Sequence, residues 1–582
     1  MQQRLSQKLF FITLFFVLTI SGCVLPTQRA ARPVPLATRY ASWQRTLTPD
    51  HAADALPTPE QNQNTGQPTP LPEIDPTPEA APKVHLHPGL PETLVTALNI
   101  PSAQLTENEQ EADIRISIGE PGQDQAVNPL ATWIFALAAP FYTTTDSVES
   151  DELMSLWHGE QGNLPFSKIL LTDEVYAAFE KLFGSAADTT VEVVSKDQLL
   201  QVALSDQPFI TLVPFENLRP QWKVLRVDGL APIDDAFTVD DYPLSLEVWV
   251  EGNLEEPFTS LPTTNYDPAK RTVLLMTGVT AMTRATAHRM EIQGNTYPGK
   301  DILSWFSAAD LVHISNEVAF AQNCPPPDPV QPDLIFCSSP DRIELLEYIS
   351  ADLIELTGNH LLDYGVPAMN LTLELYADRE WTTFAGGWDL EEARSPALIT
   401  HNGNKLAFLG CNPVGPPVVW ATDSQPGNAP CGDLQWMADE IADLKNAGYL
   451  PIVTFQYAED YTAYPSAKME ADFQFMADAG AVMVSGSQAH TPKTMIFHNG
   501  SFIHYGLGNL FFDQMEVYYG GNLMQGTREG FIDRLVFYDG QLVSVELLTT
   551  MLEDYARPRP MSTAERDALL ARIFALAVET YE

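Results

Sequence analysis

The sequence predicts an α/β protein of more than one domain, because it is long and because strand-like runs alternate with amphipathic helical segments. The chain has 582 residues, more than one hydrophobic core usually serves. Its hydrophobic fraction of 45% is ordinary for a globular protein. Acidic residues outnumber basic ones by 76 to 32, which gives a formal net charge of −44. Such a field repels nucleic acids, so we expect no nucleic-acid partner.

The N-terminus has the anatomy of an export signal. Arg4 and Lys8 precede the apolar run LFFITLFFVLTI, which is too short to span a bilayer comfortably. The run ends in ISGC, which resembles the lipobox of bacterial lipoproteins. That resemblance implies a signal peptide over residues 1–22, lipidation of Cys23, and an extracytoplasmic chain anchored to a membrane by its lipid. An ordinary signal peptide with a chance cysteine is the alternative.

Residues 23–88 are rich in Pro, Thr, Gln and Ala and lack apolar periodicity, as in LPTPEQNQNTGQPTPLPEIDPTPEAAP. This composition is typical of a disordered or partly polyproline tether. We expect His85 and His87 to be ordinary residues of that tether.

Four cysteines follow the tether, and an even number in an oxidising compartment predicts disulfides. Each sequential pair flanks a Pro-rich loop, CPPPDPVQPDLIFC or CNPVGPPVVWATDSQPGNAPC. The pairs Cys324–Cys337 and Cys411–Cys431 are the simplest of the three possible pairings. None of the four is spaced closely enough for a typical zinc site.

Residues 89–260 mix strand patterns, such as ADIRISIGE and WKVLRVDG, with helical patterns, such as TDEVYAAFEKLFG. In this order, and with the turn at Leu156–Gly159 and the strand beginning YPLS, they resemble a shortened phosphate-type periplasmic substrate-binding protein. The segment lacks a Ser/Thr/Gly-rich loop opening a helix, which capture of phosphate by backbone N–H groups favours. A structural or docking role is therefore an equal alternative to ligand binding.

Residues 270–550 repeat one pattern, in which a strand-like run is followed by a polar cluster. Examples are ADLVHIS before NEVA, ADLIELT before GNHLLD, and GAVMVSG before SQAH. In α/β folds the carboxyl ends of strands carry the functional site. The segments MIFHNGSFIHYG and RLVFYDGQLVSVELL predict two closing hairpins. Residues 551–582 predict a C-terminal helix capped by Thr563.

The polar clusters suit a two-metal phosphoesterase, which needs a bridging carboxylate, His or Asn ligands, and a His that protonates a leaving oxygen. The stretch TGNHLLDYG supplies two of these groups, Asn359 as a ligand and His360 as an acid. His313 lies within a strand pattern, where a hydrogen-bonded core histidine is the expected role. His504 lies beside the last strand of the site and could approach it.

The region from about Arg271 to Met515 resembles the CapA-type poly-gamma-glutamate capsule synthesis family, a branch of the calcineurin-like metallophosphoesterase fold. The motifs GNHLLDYG, GGWDLEEARSPALI and YGLGNLFFDQ carry the resemblance. It implies a layered α/β sandwich and catalytic roles for three residues of one loop: His360, Asn359 and Asp363. It also implies that Glu317, at the end of ADLVHISNE, is the main metal ligand.

Three positions depart from the family pattern in ways that weaken a two-metal site. Val279 stands where the family has an Asp ligand, and Gln456 and Gln488 each stand where it has a His. Ser315 stands where the family has an Asn, and Asp460, with its shorter side chain, stands where the family has a Glu. A Gln carbonyl suits hard cations but is a weak ligand for zinc or manganese.

Two states of the site are therefore expected alternatives. In one, a single divalent cation (manganese, magnesium or calcium) is held by Glu317, Asn359 and His490 with help from Asp460. In the other, the polar pocket holds no metal. Whether the chain is a metal-dependent hydrolase stays open, and the departures favour impaired or absent activity.

The family resemblance implies a surface-anchored lipoprotein linked to the synthesis, export or anchoring of an extracellular anionic polymer such as poly-gamma-glutamate. Its expected partners are the membrane, through the N-terminal lipid, and the polymer or its synthesis machinery. The alternative is a non-catalytic extracellular binding or scaffold protein on a pseudo-metallophosphoesterase fold.

Overall fold

The computed structural model describes residues 81–119, 129–205, 207–252, 261–515, 518–519, 522–524 and 526–578. Its first strand is β1 (Val84–Leu86). The predicted signal peptide, Cys23 and most of the predicted tether lie outside these residues. β1 pairs in parallel with the strand containing Ile114, so the predicted tether end at residue 88 is too late. His85 and His87 thus belong to the folded domain. Three residues are too few for strand alternation to show in a sequence.

The N-terminal domain is built on a mixed sheet. Its further strands are β2 (Ile114–Ile118), β3 (Ala131–Pro140), β4 (Ser147–Val148), β5 (Lys168–Leu171), β6 (Val191–Val193), β7 (Phe209–Pro214), β8 (Trp222–Val227) and β9 (Ser245–Glu251). The main order is β1-β2-β9-β3-β7-β5-β6, and β8 pairs with both β3 and β4. The helices are α1 (Glu92–Leu98), α2 (Ser150–Trp157), α3 (Asp173–Phe183) and α4 (Lys196–Val202). The predicted strand and helix patterns of this segment are confirmed.

The second domain contains nineteen further strands in the described part of the chain. They are β10 (Arg271–Thr277), β11 (Val279–Thr280), β12 (Leu311–Asn316), β13 (Leu353–Glu355), β14 (Thr382–Phe384), β15 (Gly386–Gly387), β16 (Ala397–His401), β17 (Asn404–Cys411), β18 (Gly427–Asn428), β19 (Leu450–Phe455), β20 (Met483–Ser485), β21 (Met495–His498), β22 (Ser501–His504), β23 (Asn509–Phe511), β24 (Tyr518–Tyr519), β25 (Asn522–Leu523), β26 (Glu529–Tyr538), β27 (Gln541–Glu553) and β28 (Arg557–Pro560).

Most of these strands form two large sheets. The first has the order β14-β13-β12-β10-β26-β27-β28, with β11 joining β12 to β23. The second has the order β16-β17-β19-β20-β22-β21. Strands β10, β12, β13 and β14 run parallel, and so do β17, β19, β20 and β22. Within each parallel set, the polar segments that follow the strands therefore lie at one edge of the sheet.

Helices cover the outer faces of both sheets. They are α5 (Arg284–Gln293), α6 (Leu303–Ser307), α7 (Glu344–Tyr348), α8 (Val366–Ala377), α9 (Leu390–Arg394), α10 (Gln435–Asn446) and α11 (Ala467–Ala479), whereas α12 (Thr563–Val578) packs on the core between the sheets. Within β10, Leu274 packs into the core between the sheets together with Phe408 of β17, whereas Leu275 packs against Met290 of α5. On the second sheet, Val453 packs against Met437 of α10. The period-two alternation of the strands thus builds a helix–sheet–sheet–helix sandwich, and the predicted α/β layered class is confirmed.

The end of the chain confirms both predicted hairpins and corrects the C-terminal helix predicted over residues 551–582. Helix α12 begins only at Thr563, because β27 extends to Glu553 and Arg557–Pro560 form β28. β21 and β22 pair around Asn499 and Gly500, and β26 and β27 pair around Asp539 and Gly540, with positive φ at all four turn residues. Such φ values suit the Asn-Gly and Asp-Gly turns seen in the sequence. The cap of α12 is Ser562 rather than Thr563, because the Ser562 N–H donates to Glu565 and the Glu565 N–H donates to Ser562 Oγ.

Both predicted disulfides are present, Cys324–Cys337 and Cys411–Cys431. The two domains share a core, because Val536 and Tyr538 of β26 pack among the buried residues of the N-terminal domain. Among the described residues, no helix is both long enough and apolar enough to cross a membrane.

Candidate functional site

The loop Thr357–Gly365 follows β13 and is held from two sides. Gly358 packs directly on the chain at Glu317, where an added Cβ would lie 2.5 Å from Glu317 Cα, so a side chain is excluded there. Asn412 Nδ2 donates to Thr357 O at 3.0 Å, and Asn428 Nδ2 donates to Gly358 O at 2.9 Å. Because both amides come from the segment closed by Cys411–Cys431, that disulfide loop supports the site.

His360 is paired with Asp363 within the same loop. Its Nδ1 lies 2.7 Å from Asp363 Oδ2, and the Phe336 N–H donates to the same carboxylate oxygen at 2.8 Å. The Phe336 ring also packs on the imidazole, with 4.5 Å between ring centroids. Burial disfavours the charged imidazole, but the hydrogen bond to Asp363 and the charge of Glu317 outweigh it and raise the pKa of His360. The pair leaves Nε2 as the ring nitrogen available to a ligand.

Glu317 and His490 lie together beside this loop. Glu317 is 2% exposed, and its Oε1 lies 3.9 Å from His490 Nε2. His490 Nδ1 lies 2.9 Å from Asn509 Oδ1, and because the Asn509 amide nitrogen is engaged by carbonyl oxygens, Nδ1 is the donor. The lone pair of a neutral His490 is therefore on Nε2, the nitrogen nearest Glu317.

Val279, the first departing position, lies in an apolar cluster. Its buried neighbours there are Ala281, Val318, Phe336 and Phe512. A carboxylate at this position would lie among these apolar side chains.

The two glutamine positions also remain inside the site. Gln488 Nε2 donates to Ser315 Oγ at 2.6 Å, and both side chains are buried. Gln456 Nε2 makes a long bond of 3.4 Å to Tyr457 O. The Oε1 atoms of Gln456 and Gln488 are buried and have no hydrogen-bond partner among the described residues.

Asp460 does not lie with the other predicted ligands. Its carboxylate accepts a hydrogen bond from Lys493 Nζ at 2.6 Å and one from Thr462 Oγ1 at 2.9 Å, and 44% of the side chain is exposed. The neighbouring Glu459 is the one that faces the site, because its Oε2 accepts the His490 N–H. The family resemblance pointed to the residue adjacent to the one that contacts His490.

Arg284 is a site residue that sequence reasoning missed. Its guanidinium carbon lies 4.8 Å from the Phe336 ring centroid and 5.0 Å from that of Phe512, and it is ion-paired with Asp513. Phe336 packs on His360 and Phe512 stacks on His490 at 5.1 Å, so the arginine lies between the two histidines. Its φ of 44° is uncommon for a residue other than glycine. In the sequence, only its position six residues after Gly278, in GVTAMTR, indicated that Arg284 lies near the site.

A second missed residue, Glu355, is fully buried beneath the site. Its carboxylate accepts hydrogen bonds from Ser487 Oγ and Thr357 Oγ1, both at 2.5 Å, and pairs with His313 Nε2 at 3.0 Å. Burial raises the pKa of Glu355, but these three donors outweigh it and hold the pKa below its ordinary value. His313 Nδ1 accepts the Thr277 N–H, so His313 is the hydrogen-bonded core histidine that the sequence predicted.

His504 is occupied elsewhere in the core, where its Nδ1 lies 2.8 Å from Asp533 Oδ2 and both side chains are fully buried. Searched over the described residues, no group of three or more His, Cys, Asp or Glu side chains is arranged to hold a metal ion. Four buried oxygens have no hydrogen-bond partner among the described residues: Glu317 Oε2, Asn359 Oδ1, Gln456 Oε1 and Gln488 Oε1. Carboxylate and amide oxygens are the ligand types that hard cations such as calcium and magnesium take.

Comparison with known proteins places the site in a family. Residues 252–514 match the sequence model of the bacterial capsule synthesis protein PGA_cap. The chain is 26% identical over 212 residues to the PGA biosynthesis protein CapA of Bacillus subtilis, covering 36% of this chain and 55% of that protein. It is 26% identical over 177 residues to the capsule biosynthesis protein CapA of Bacillus anthracis, covering 30% and 43%. The chain spans about half the length of the curated relatives it matches.

Two solved structures are similar to separate parts of the chain. One is a phosphate transport receptor from Vibrio cholerae, with a TM-score of 0.22 and 15% identity, covering 25% of this chain and 69% of that one. The other is the NAD nucleotidase of Haemophilus influenzae, with a TM-score of 0.28 and 9% identity, covering 52% and 56%. The match over residues 252–514 and the two capsule proteins support the resemblance that the motifs indicated: this domain is similar to the CapA-type bacterial capsule synthesis proteins.

Proposed function

We propose that this protein acts outside the cytoplasmic membrane, anchored by a lipid on Cys23, in the synthesis, export or anchoring of an anionic surface polymer such as poly-gamma-glutamate. The names of the two Bacillus relatives, which describe PGA and capsule biosynthesis, support the polymer class. The lipobox-like ISGC segment supports the anchor. The membrane, the polymer and its synthesis machinery are the proposed partners.

We further propose that the site is degenerate and holds at most one divalent cation. The observation that carries this is the set of four buried, unpartnered acceptor oxygens on Glu317, Asn359, Gln456 and Gln488. Leaving a buried acceptor unsatisfied costs about 1–3 kcal/mol, so four together call for a cation or bound water. Carboxylate and amide oxygens are the ligands of calcium and magnesium, and His490 Nε2 adds one nitrogen.

A bound cation would supply a positive charge that bridges the acidic protein to a polyanion. The chain's own residues contribute a proton donor, because the raised pKa of His360 keeps its imidazole protonated to higher pH than an ordinary histidine. Asp363 occupies Nδ1, so the available proton is on Nε2. Glu317 and Asn359 would hold the cation beside it. The reaction class, if the site is catalytic, is hydrolysis or transfer at a phosphoester or amide-like bond.

A non-catalytic binding or scaffold role is the second candidate. Two observations favour it: Val279 packs in an apolar cluster, and the Nε2 of Gln488 is bonded to Ser315 Oγ within the protein. On this view the fold presents a polymer-binding surface while the metal chemistry has been lost.

The test combines polymer binding with metal analysis of the full chain purified without chelators. We expect poly-gamma-glutamate to bind in the presence of calcium, and Glu317→Gln to weaken that binding about tenfold or more. The control variant is His498→Ala, which removes an imidazole that pairs with Asp478 away from the site. Two tightly bound metals per chain, with phosphodiesterase activity lost in His360→Ala but not in His498→Ala, would overturn the degenerate site. Polymer binding unaffected by calcium, by chelator and by Glu317→Gln would overturn its cation-bridging role.

A further inference from the structure

A cavity of about 330 Å³ lies at the junction of the two domains, away from the CapA-type site. Strand β8 and the segment after β3 form its N-terminal wall, and β27 and α12 form its C-terminal wall. Protein interiors and well-packed interfaces rarely leave voids much larger than a water molecule. Ion pairs that served only to join the domains would not need a void of this size, which is in the range of ligand sites.

One wall of the cavity is polar and carries more basic than acidic groups. Lys223, Arg226 and Arg566 line it with the carboxylates of Asp146 and Glu546. This balance reverses that of the whole chain, which has 32 basic and 76 acidic residues. The positive groups of this wall locally oppose the negative charge of the chain, so an anion is repelled less there than the net charge suggests.

The contacts of Asp146 show that these cations bind a carboxylate. Its Oδ1 lies 2.8 Å from Lys223 Nζ and 2.7 Å from Arg566 Nη2, and half of its side chain (49%) is exposed. A single carboxylate oxygen is thus shared by two cations. Arg566 also donates to Thr144 O at 2.7 Å and contacts Asp567 at 3.4 Å, and Lys223 Nζ donates to Thr143 O at 2.8 Å. Arg226 is paired with Glu546 at 3.0 Å and with Asp234 at 2.7 Å. Burial lowers the pKa of Lys223 to about 8, which an additional anion would offset.

The lining of the cavity also includes apolar side chains. Phe141, Leu570 and Phe574 belong to the core that joins the second sheet to α12, and they border the cavity together with Met561. A ligand that fills the space must therefore carry an anionic end and an apolar body.

We propose that the interdomain cavity binds a small carboxylate with a short apolar chain, its carboxylate held by Lys223 and Arg566 and its chain packed on Phe141 and Phe574. A ligand seated there contacts both domains at once. The site is independent of the polymer-related function proposed above, and so is its test.

The test is titration calorimetry of the full chain with hexanoate, and with 1-hexanol as an uncharged ligand of the same chain length. We expect saturable binding of one hexanoate per cavity below about 10 mM, and at least tenfold weaker binding of hexanol. No saturable heat from hexanoate up to that concentration, or equal binding of hexanol, would overturn the proposal, and neither result depends on a variant.

Three variants locate the site. Lys223→Met removes the charge at similar volume and should weaken hexanoate binding about tenfold or more. Lys468→Met removes an exposed lysine paired with Asp472 on α11 and should leave binding unchanged. Leu570→Trp should abolish binding by filling the cavity. Unchanged hexanoate affinity in both Lys223→Met and Leu570→Trp would show that it binds elsewhere and would overturn the assignment. If Lys223→Met does not fold, Leu570→Trp alone decides the location.

Discussion

Gln488 and Ser315 are joined by a hydrogen bond of 2.6 Å across the carboxyl edges of the two sheets. The family pattern has a metal-binding His at the first position and an Asn at the second. Here the two replacements satisfy part of each other's hydrogen-bonding capacity. Both side chains are buried, so this bond satisfies a donor and an acceptor that bulk water does not reach. If the site is degenerate, as proposed above, this bond would stabilise it in the absence of two metals.

Restoring the family's carboxylate at position 279 should be costly in the absence of metal. Val279→Asp places a carboxylate in the apolar cluster with Phe336 and Phe512. An uncompensated buried charge destabilises a protein by about 3–5 kcal/mol, so we expect a loss of that order in the free energy of unfolding by urea. The control is Val330→Asp, at a position that is 82% exposed, which should change stability by less than about 0.5 kcal/mol. Equal effects of the two variants would contradict the role of the cluster.

The layered fold was predictable because its strands are long and strongly patterned. The alternation of Leu274 and Leu275 between the two faces of β10 follows from local sequence. The site was predictable only where motif residues are contiguous, as in His360 and Asp363. Arg284 and Glu355 were missed because their roles depend on contacts with Asp513 and Ser487, which are more than a hundred residues away. The periodic spacing of apolar residues, which predicts helices and strands, carries no information about such long-range contacts.

Glu355 should make the site and the fold sensitive to acid. Its pKa is held below the ordinary value of about 4.3, so its contribution to stability is present above that value and is lost as pH falls through the lower folded-state pKa. Glu355→Gln removes the charge that His313, Thr357 and Ser487 stabilise. We expect a loss of about 3 kcal/mol at pH 7 and a weaker dependence of stability on pH below about 4. Glu374→Gln, at an exposed position, is the matched control. A Glu355→Gln variant as stable as the wild type would contradict the role of the hydrogen bonds to Glu355.

The pKa of His360 should be raised, and it should depend on Asp363. The pairing stabilises the protonated imidazole, so its contribution to stability is complete below the ordinary histidine pKa and is lost as pH rises through the higher folded-state pKa. Asp363→Asn should lower the pKa of His360, because it removes the hydrogen-bonded carboxylate, and NMR of the imidazole protons measures the change. An unchanged His360 titration in Asp363→Asn would contradict the pairing.

Glu317 and Asp460 should differ in their effect on cation binding. Glu317 is buried with an unpartnered oxygen, whereas Asp460 is already neutralised by Lys493. We expect Glu317→Gln to weaken calcium or magnesium binding about a hundredfold and Asp460→Asn to change it less than about twofold, as measured by calorimetry. The opposite order would show that Asp460 moves to the site when a cation binds and would restore it as a ligand.

The disulfide Cys324–Cys337 should support both stability and the state of His360. It closes a loop with a sequence separation of 13, and Phe336, next to Cys337, donates to Asp363 and packs on His360. The double variant Cys324→Ser with Cys337→Ser should lose about 3 kcal/mol, the loop-closure value for this length. Because a looser Phe336 admits water to the His360–Asp363 pair, the pKa of His360 should also move toward its ordinary value. The comparison variant, Cys411→Ser with Cys431→Ser, opens the loop that holds Thr357 and Gly358 rather than Phe336. It should destabilise the chain by a similar amount and change the pKa of His360 less. If both double variants shift the His360 titration equally, the effect is general loosening of the loop Thr357–Gly365 rather than a specific action of Phe336.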